Sequence, residues 1–256
     1  MSPSTAIVTG ASQGIGRATA IRLARDFASL VLVARNRDHL LETADAVEAQ
    51  GAKSLIIDLD LAEKAAAKAV VGQTLAAFGR VDALLNIAGA VPQVDLFDMT
   101  DEQWDDGMAL KLHGARRLTI QAWPALKQAK GAVVFTSGNS AIFPKAPYAA
   151  VGTINAAIAA LAKAFADRGI GDGVQVNSVL PGPVMTGRRR SYLEHWAPRH
   201  GMTVEEAMER FPREAGIARY GAAEEIAELM AFLVSPAARW MTGSMLRMDG
   251  GEVKSV

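Results

Sequence analysis

The sequence predicts a single α/β domain built on a doubly wound, mostly parallel sheet with helices on both faces. Short apolar stretches alternate with longer helical segments along the chain, which is typical of consecutive βαβ units. The 256 residues suit one large domain, and 50% of them are hydrophobic whereas only 6% are aromatic. Aliphatic side chains are therefore expected to form the core, and no linker, repeat or low-complexity tract divides the chain.

Seven strands are predicted from short apolar runs, at residues 6–8, 30–34, 54–58, 81–86, 132–136, 174–179 and 245–248. Helical segments are predicted between them, at residues 17–24, 38–50, 62–78, 101–128 and 149–167. Thr203 and Glu206 have the spacing of a capping box, which predicts the start of a further helix. Ligands of open parallel sheets bind at the carboxyl ends of the strands, so the residues that follow each strand are the candidates for a site.

Composition argues against several classes of function. The chain carries 27 basic and 27 acidic residues, so it has no electrostatic footprint for nucleic acid or an anionic membrane. The absence of cysteine removes disulfides, thiolate nucleophiles and cysteine-based metal sites, and the four histidines show no metal-ligand spacing. The apolar runs look too short for a membrane span, and the N-terminus leads directly into the first strand without a signal peptide. A cytoplasmic protein without a metal is expected.

The turn between the first strand and the first helix, residues 9–16, reads Thr-Gly-Ala-Ser-Gln-Gly-Ile-Gly. Glycines let the backbone turn sharply and approach an anion, and the following helix N-terminus directs unpaired N–H groups toward it. The spacing is Gly-x-x-x-Gly-x-Gly rather than the more familiar Gly-x-Gly-x-x-Gly. This turn is predicted to bind a phosphate through Gly10, Ser12, Gln13, Gly14, Ile15 and Gly16.

The spacing, with its leading threonine, resembles that of the short-chain dehydrogenase/reductase family, whose members have a Rossmann-type fold. The resemblance extends from about residue 5 to residue 251. It implies that an aspartate after the third strand hydrogen-bonds the adenine, that an Asn-x-Ala-Gly segment follows the fourth strand, and that residues 181–186 cover the nicotinamide. The implied cofactor contacts are Asp58, Leu59, Asn86, Ala88, Gly89, Pro181, Gly182, Val184 and Thr186.

The end of the second strand indicates which nicotinamide cofactor is bound. NAD-binding proteins usually place an acidic residue there, which accepts a hydrogen bond from the ribose 2′-hydroxyl. Here the residues are Arg35, Asn36 and Arg37, without a carboxylate. Because a guanidinium matches a phosphate with bidentate geometry, Arg35 predicts NADP(H) in preference to NAD(H). The alternative is a solvated surface arginine.

The catalytic residues depart from the family pattern. The resemblance implies a serine, a tyrosine, a lysine four residues after the tyrosine, and an asparagine on an earlier helix. Ser137 and Tyr148 match, but Gly152 stands four residues after the tyrosine. In one register Tyr148 is catalytic and Gly152 replaces the lysine. In the other, counted back from the proline that matches the nicotinamide segment, Asn155 replaces the lysine and Val151 the tyrosine, and this gapless register is favoured.

A second departure matches the first. Lys111 stands where the family has its asparagine, and Asn155 stands where it has its lysine. One hypothesis is that these two residues exchange roles while Tyr148 reaches in from one helical turn away; the alternative is that the relay has decayed. His113 is a further acid/base candidate because its ordinary pKa lies near neutrality, although a lone helical histidine more often has a packing role.

Residues 187–220 are expected to cover the substrate. Three successive arginines, Arg188, Arg189 and Arg190, are suited to an anionic substrate or form a solvated face. The sequence alone leaves three functions open: an NADP(H)-dependent oxidoreductase acting on a small alcohol or carbonyl substrate, a cofactor-binding protein without hydride transfer, and non-redox chemistry on the same scaffold. The resemblance also implies a homo-oligomer, either a tetramer or a dimer.

Overall fold

The computed structural model describes residues 3–255, and it contains a parallel sheet with the order β3-β2-β1-β4-β5-β6-β9. The seven predicted strands all lie in this sheet, and two further short strands pair with each other beside it. The strand bounds are β1 (Thr5–Thr9), β2 (Ser29–Ala34), β3 (Lys53–Asp58), β4 (Ala83–Asn86), β5 (Ala132–Thr136), β6 (Gln175–Pro181), β7 (Val184–Met185), β8 (Gly221–Ala222) and β9 (Met245–Met248). The predicted fold class, a doubly wound α/β sheet, is confirmed.

The helices cover both faces of the sheet. Their bounds are α1 (Gly14–Leu23), α2 (Arg37–Glu48), α3 (Ala66–Phe78), α4 (Asp101–Gly107), α5 (Ala115–Ala129), α6 (Ala149–Asp172), α7 (Gly187–Trp196), α8 (Val204–Glu214) and α9 (Ala223–Val234). The segment predicted as one helix over 101–128 has three parts, because a π-helix, Met108–Gly114, joins α4 to α5. Such wider turns are frequent at functional sites.

The sheet reverses its strand order between β1 and β4. From β1 the chain adds β2 and β3 on one side, and then crosses to add the remaining strands on the other side. The side chain of Thr9 joins the two strand ends: its hydroxyl donates to Leu85 O at 3.2 Å and accepts from the N–H groups of Ile87 and Ala88 at 2.8 and 3.0 Å. The glycine-rich turn therefore lies against the loop after β4.

Two hydrophobic clusters occupy the two faces of the sheet. Successive strand residues point to opposite faces, so Val8 packs with Leu32 and Met230 of α9, whereas Ile7 packs with Val33 and the helices on the other side. This alternation explains why each strand reads as continuously apolar. A third, smaller cluster of Leu193, Ala197 and Ala207 holds α7 against α8.

Helix α6 corrects one expectation from the sequence. The segment Ala146–Asp172 is long and apolar enough to cross a membrane by length and composition, with a mean hydropathy of 1.5. In the fold it packs beside the sheet, and its buried positions include Ile154, Ile158 and Ala162. Burial involves 44% of the most apolar window of this segment, so packing in the fold accounts for part of its apolar character.

Helix α8 begins as the sequence predicts. The Thr203 hydroxyl accepts from Glu206 N at 3.1 Å, and the Glu206 carboxylate accepts from Thr203 N at 2.7 Å. The two bonds satisfy backbone donors that have no partner within the helix. The predicted capping box is thus confirmed, and it fixes the start of the second helix within residues 187–220.

Candidate active site

The glycine-rich turn is packed so closely that side chains are excluded from it. Gly10 has φ +68°, and a Cβ added there would lie 3.1 Å from Ala88 Cα. A Cβ at Gly16 would lie 2.0 Å from the carbonyl oxygen of Gly10, well inside van der Waals contact. These two positions require glycine, and they leave the backbone N–H groups at the start of α1 accessible to a ligand.

A cleft of about 400 Å³ opens over this turn. Eleven of the predicted cofactor contacts line it, namely Gly10, Ser12, Gln13, Gly14, Ile15, Gly16, Arg35, Leu59, Ala88, Gly89 and Thr186. The hydroxyl of Thr136 also faces the cleft, and it is buried without a hydrogen-bond partner in residues 3–255. An extended anionic dinucleotide fits this arrangement, because the glycine cradle receives phosphates and the orphaned hydroxyl is left for a ligand.

Asp58 is not a cleft residue, and this prediction needs correction. Asp58 ends β3 with its carboxylate exposed and paired to Arg37 at 3.0 Å. The chain continues alongside β2, with Leu59 N donating to Ala34 O at 3.0 Å, so that Asp60 reaches the cleft two residues later. The sequence repeats Asp-Leu at 58–59 and 60–61, and only the end of the strand shows which of the two aspartates lies in the cleft.

Four other predicted contacts support the cleft without lining it. Asn86 is buried and donates from Nδ2 to Thr119 Oγ1 at 3.0 Å, which ties β4 to α5. Gly182 donates to Met248 O at 3.1 Å, and a Cβ there would lie 2.6 Å from Asp249 Cα. The other two are Pro181, at the end of β6, and Val184, in β7. The cleft also contains residues that were not predicted, including Asn36, His39 and Leu110.

Three of the four predicted catalytic residues form one hydrogen-bonded cluster. The Lys111 ammonium donates to Ser137 O at 3.2 Å and also to Asn155 Oδ1. The Ser137 hydroxyl donates to the main-chain oxygen of Asn155 at 2.7 Å. Asn155 Nδ2 in turn donates to Ser140 Oγ at 2.9 Å. Gly138 makes room for this amide, since a Cβ there would lie 2.6 Å from Asn155 Nδ2.

The geometry favours the register in which Asn155 stands at the lysine position. Gly152 is buried, and a Cβ there would lie 2.9 Å from Pro144 Cβ and 3.0 Å from Ser140 O. A lysine at 152 therefore has no space, whereas the side chain at 155 reaches both Lys111 and Ser140. In the sequence, the spacing between Asn155 and Pro181 already predicts this register.

Tyr148 lies outside the cluster. It ends a short 3₁₀ turn, Ala146–Tyr148, immediately before α6, and it is half-buried. Its hydroxyl forms no hydrogen bond with any residue between 3 and 255. Its assignment as a catalytic residue stays a prediction.

Lys111 lies in an unusual electrostatic environment. Burial and, secondarily, the charge of Arg188 lower the pKa of Lys111 to about 8. Arg188 lines the cleft and donates from Nη1 to Gly89 O at 3.2 Å. The lysine stem lies directly against Gly89, where an added Cβ would lie 3.0 Å from Lys111 Cδ.

The other charged candidates of this region do not join the cluster. Burial and the charges of Arg116 and Arg117 lower the pKa of His113, which does not line the cleft. Of the three successive arginines, only Arg188 lines it; the Arg189 guanidinium lies over the Tyr192 ring at 5.7 Å from the centroid. Any anionic substrate group is therefore expected to meet Arg188 first.

Known proteins of similar sequence are oxidoreductases. The family profile described as enoyl-(acyl carrier protein) reductase matches residues 10–252. The uncharacterized oxidoreductase YvaG of Bacillus subtilis is 31% identical, over 98% of this chain and 97% of its own. A 3-oxoacyl-[acyl-carrier-protein] reductase of Staphylococcus aureus is 28% identical, over 96% of this chain and 97% of its own.

Solved structures of reductases superpose on the whole chain. L-Sorbose reductase from Gluconobacter frateurii, complexed with NADPH and L-sorbose, has a TM-score of 0.95 at 30% identity, with 100% of this chain and 98% of the other covered. YwfH, an NADPH-dependent reductase involved in bacilysin biosynthesis, has a TM-score of 0.92 at 28% identity, with 100% of both chains covered.

Proposed function

The chain belongs to the short-chain dehydrogenase/reductase family of oxidoreductases, and from that premise we propose that it transfers hydride between NADP(H) and a small alcohol or carbonyl substrate. The observation that carries this proposal is the cleft itself. Its glycine cradle suits a diphosphate, and Arg35, which is 66% exposed at the cleft edge, stands where an NAD-binding protein has a carboxylate. One relative complexed with NADPH and another described as NADPH-dependent support the same cofactor.

The cofactor contacts follow from the lining of the cleft. The turn at residues 10–16 would hold the diphosphate, and Arg35 would pair with the 2′-phosphate of the adenosine. We assign the contact at the adenine end to Asp60 in place of Asp58, because Asp60 is the carboxylate in the cleft. When bound, NADPH supplies the hydride.

The proposed catalytic group consists of Ser137, Lys111 and Asn155, which are joined by hydrogen bonds. Lys111 and Asn155 exchange the positions that the family uses for asparagine and lysine, and they are hydrogen-bonded to each other. Asn155 fixes the ammonium, and its own amide is held by Ser140. We also propose that the protein acts in the cytoplasm as a homotetramer or homodimer.

Coupled measurements of binding and turnover test the proposal. NADPH and NADH are titrated by fluorescence, and NADPH oxidation is then followed with L-sorbose, levodione and a 3-oxoacyl thioester, which represent the substrates named for related reductases. Tight NADPH binding with turnover of one carbonyl class is the expected result. Binding without turnover of any carbonyl would favour the cofactor-binding protein, and failure to bind NADPH would refute the proposal.

A further inference from the structure

We propose that Lys111 itself, and not a tyrosine, gives a proton to the substrate oxygen during carbonyl reduction and takes it back during alcohol oxidation. This inference rests on the proposed function and assigns the acid/base step within it. It concerns a residue on a π-helix, Met108–Gly114, whose side chain is hydrogen-bonded to Asn155 of α6.

The first argument is the geometry of the ammonium. A lysine ammonium has three N–H donors. Two of them are directed to Ser137 O and Asn155 Oδ1, which are the acceptors that it finds among residues 3–255. The third donor has no acceptor among residues 3–255, and the stem of the lysine lies against Gly89, which lines the cleft.

The second argument is that the other candidate acid/base groups either already donate their proton in a hydrogen bond or lie outside the network. The Ser137 hydroxyl gives its proton to Asn155 O at 2.7 Å, so it is oriented to accept a hydrogen bond and not to donate one to a substrate oxygen. The Tyr148 hydroxyl is not part of this network, and Val151 occupies the family's tyrosine position in the register that the structure favours. His113 also lies outside this network, and its Nδ1 is buried without a hydrogen-bond partner among residues 3–255.

The third argument is electrostatic. The groups packed around the ammonium are the Ser137 carbonyl after β5, the Asn155 amide on α6 and the Gly89 backbone after β4, which are all neutral. Among the described residues, Arg188 at the start of α7 is the one charged group that lowers the pKa of Lys111, in addition to the effect of burial. A general acid is most effective when its pKa lies near the pH at which the enzyme works, and the pKa of about 8 for Lys111 is close to neutral pH.

The proton balance of the step is complete. As the carbonyl carbon accepts hydride, the π electron pair moves to the oxygen, an O–H bond forms there, and one N–H bond of Lys111 breaks. Lys111 is left as a neutral amine, which then takes a proton from the solvent. Alcohol oxidation runs the same transfer in reverse and begins from the neutral amine.

Four variants separate the roles. Lys111→Met removes the acid, and Lys111→Arg keeps the charge but holds the proton too tightly to release it. Tyr148→Phe removes the candidate phenol, and Lys68→Met makes the matched change at an exposed position of α3. NADPH affinity and thermal unfolding are measured for each variant, so that a folding defect is recognised.

We expect Lys111→Met and Lys111→Arg each to lower kcat/KM for reduction by about 10²-fold or more, and Tyr148→Phe to lower it by less than about threefold. Reduction by the wild type should decline above pH about 8, where Lys111 loses its proton. Substantial activity in Lys111→Arg, or a loss of about 10²-fold in Tyr148→Phe, would overturn the inference, because the lysine would then act only as a charge beside a phenol.

A readout independent of turnover is the titration of the protein labelled with ¹³C at the lysine ε-carbons. One resonance should titrate near 8, be lost in Lys111→Met and persist in Lys68→Met. A Lys111 that titrates at its ordinary value of 10.5 overturns the inference even if no carbonyl is reduced. Absence of turnover with a Lys111 titrating near 8 would refute the proposed function and leave the amine supported as an acid/base group.

Discussion

Arg35 lies at the edge of the cleft, where its guanidinium is 3.5 Å from Asp60 and mostly solvent-exposed. We expect Arg35→Asp to shift preference from NADPH toward NADH, by about 10-fold or more in the ratio of affinities. A carboxylate repels the 2′-phosphate and accepts from a 2′-hydroxyl. Fluorescence titration with both cofactors measures the change.

The matched control is Arg37→Asp. Arg37 is another exposed arginine two residues away, but it pairs with Asp58 outside the cleft. Its loss should leave the cofactor ratio near that of the wild type. An equal effect of both substitutions would indicate general charge attraction, and no effect of Arg35→Asp would contradict the assignment.

Some residues of the site can be predicted from the sequence, and others cannot. The phosphate turn depends on local spacing, and it was located because both the glycines and the following helix are contiguous in the chain. The family resemblance predicts Asp58 as the adenine contact, but the Asp-Leu pairs at 58–59 and 60–61 are locally equivalent. Only the path of the chain beside β2 distinguishes them.

At the scale of elements, two of the three glycines in α6 lie in contrasting environments. Gly152 meets Pro144 and Ser140 O at distances that a Cβ cannot keep, whereas nothing lies within 4 Å of a Cβ at Gly171. We expect Gly152→Ala to lower the free energy of unfolding by about 1 kcal/mol or more, because overpacking outweighs the gain in helix propensity.

Gly171→Ala is the control, and it should be neutral or stabilising by up to about 1 kcal/mol. Urea denaturation of both variants makes the comparison. Equal behaviour would contradict the close packing of α6 against the loop after β5, and with it the exclusion of a lysine at position 152.

The π-helix between α4 and α5 shows what periodicity cannot predict. The sequence predicts one continuous helix over residues 101–128. A π-helical turn within it is built from residues that are also compatible with an α-helix, so the sequence pattern does not reveal it. The wider turn nevertheless changes the angular position of the side chains that follow it. Lys111 is carried on this segment, so its direction toward Asn155 was decided by tertiary packing.

At the scale of the whole molecule, Asp172 joins α6 to α5. Hydrogen bonds from Lys127 and Trp123, and then the Arg168 side chain, hold the pKa of Asp172 below its usual range. A depressed carboxyl pKa stabilises the fold above the ordinary value of 3.8, and this contribution is lost as the pH falls through the folded-state value. Asp172→Asn should therefore lower the Tm at neutral pH.

The Tm difference between Asp172→Asn and the wild type should shrink in acid, below pH about 3. Asp167→Asn, an exposed position on the same helix, should show little difference at either pH. A difference between Asp172→Asn and the wild type that is constant with pH would show that the carboxylate charge has no part in stabilising this contact.

Assembly is the second prediction at this scale. β9 is an edge strand of the sheet, and Met245 and Trp240 nearby are 51% and 99% exposed. Exposed apolar side chains beside an unpaired strand edge favour association. Light scattering should give a multiple of 27.0 kDa, and Trp240→Glu should weaken the assembly. A wild type of 27.0 kDa would contradict the proposed oligomer.

The sequence by itself determined the alternating α/β architecture, the phosphate turn and the arginine after β2. These features depend on periodicity and on residues that are close in the chain, so local spacing suffices to identify them. The tertiary structure decided that Asp60 and not Asp58 enters the cleft, that Gly152 has no room for a side chain, and that Lys111 meets Asn155. Lys111 lies 26 residues from Ser137 and 44 from Asn155. Their contact depends on how the π-helix, β5 and α6 pack at one end of the sheet, which no local pattern records.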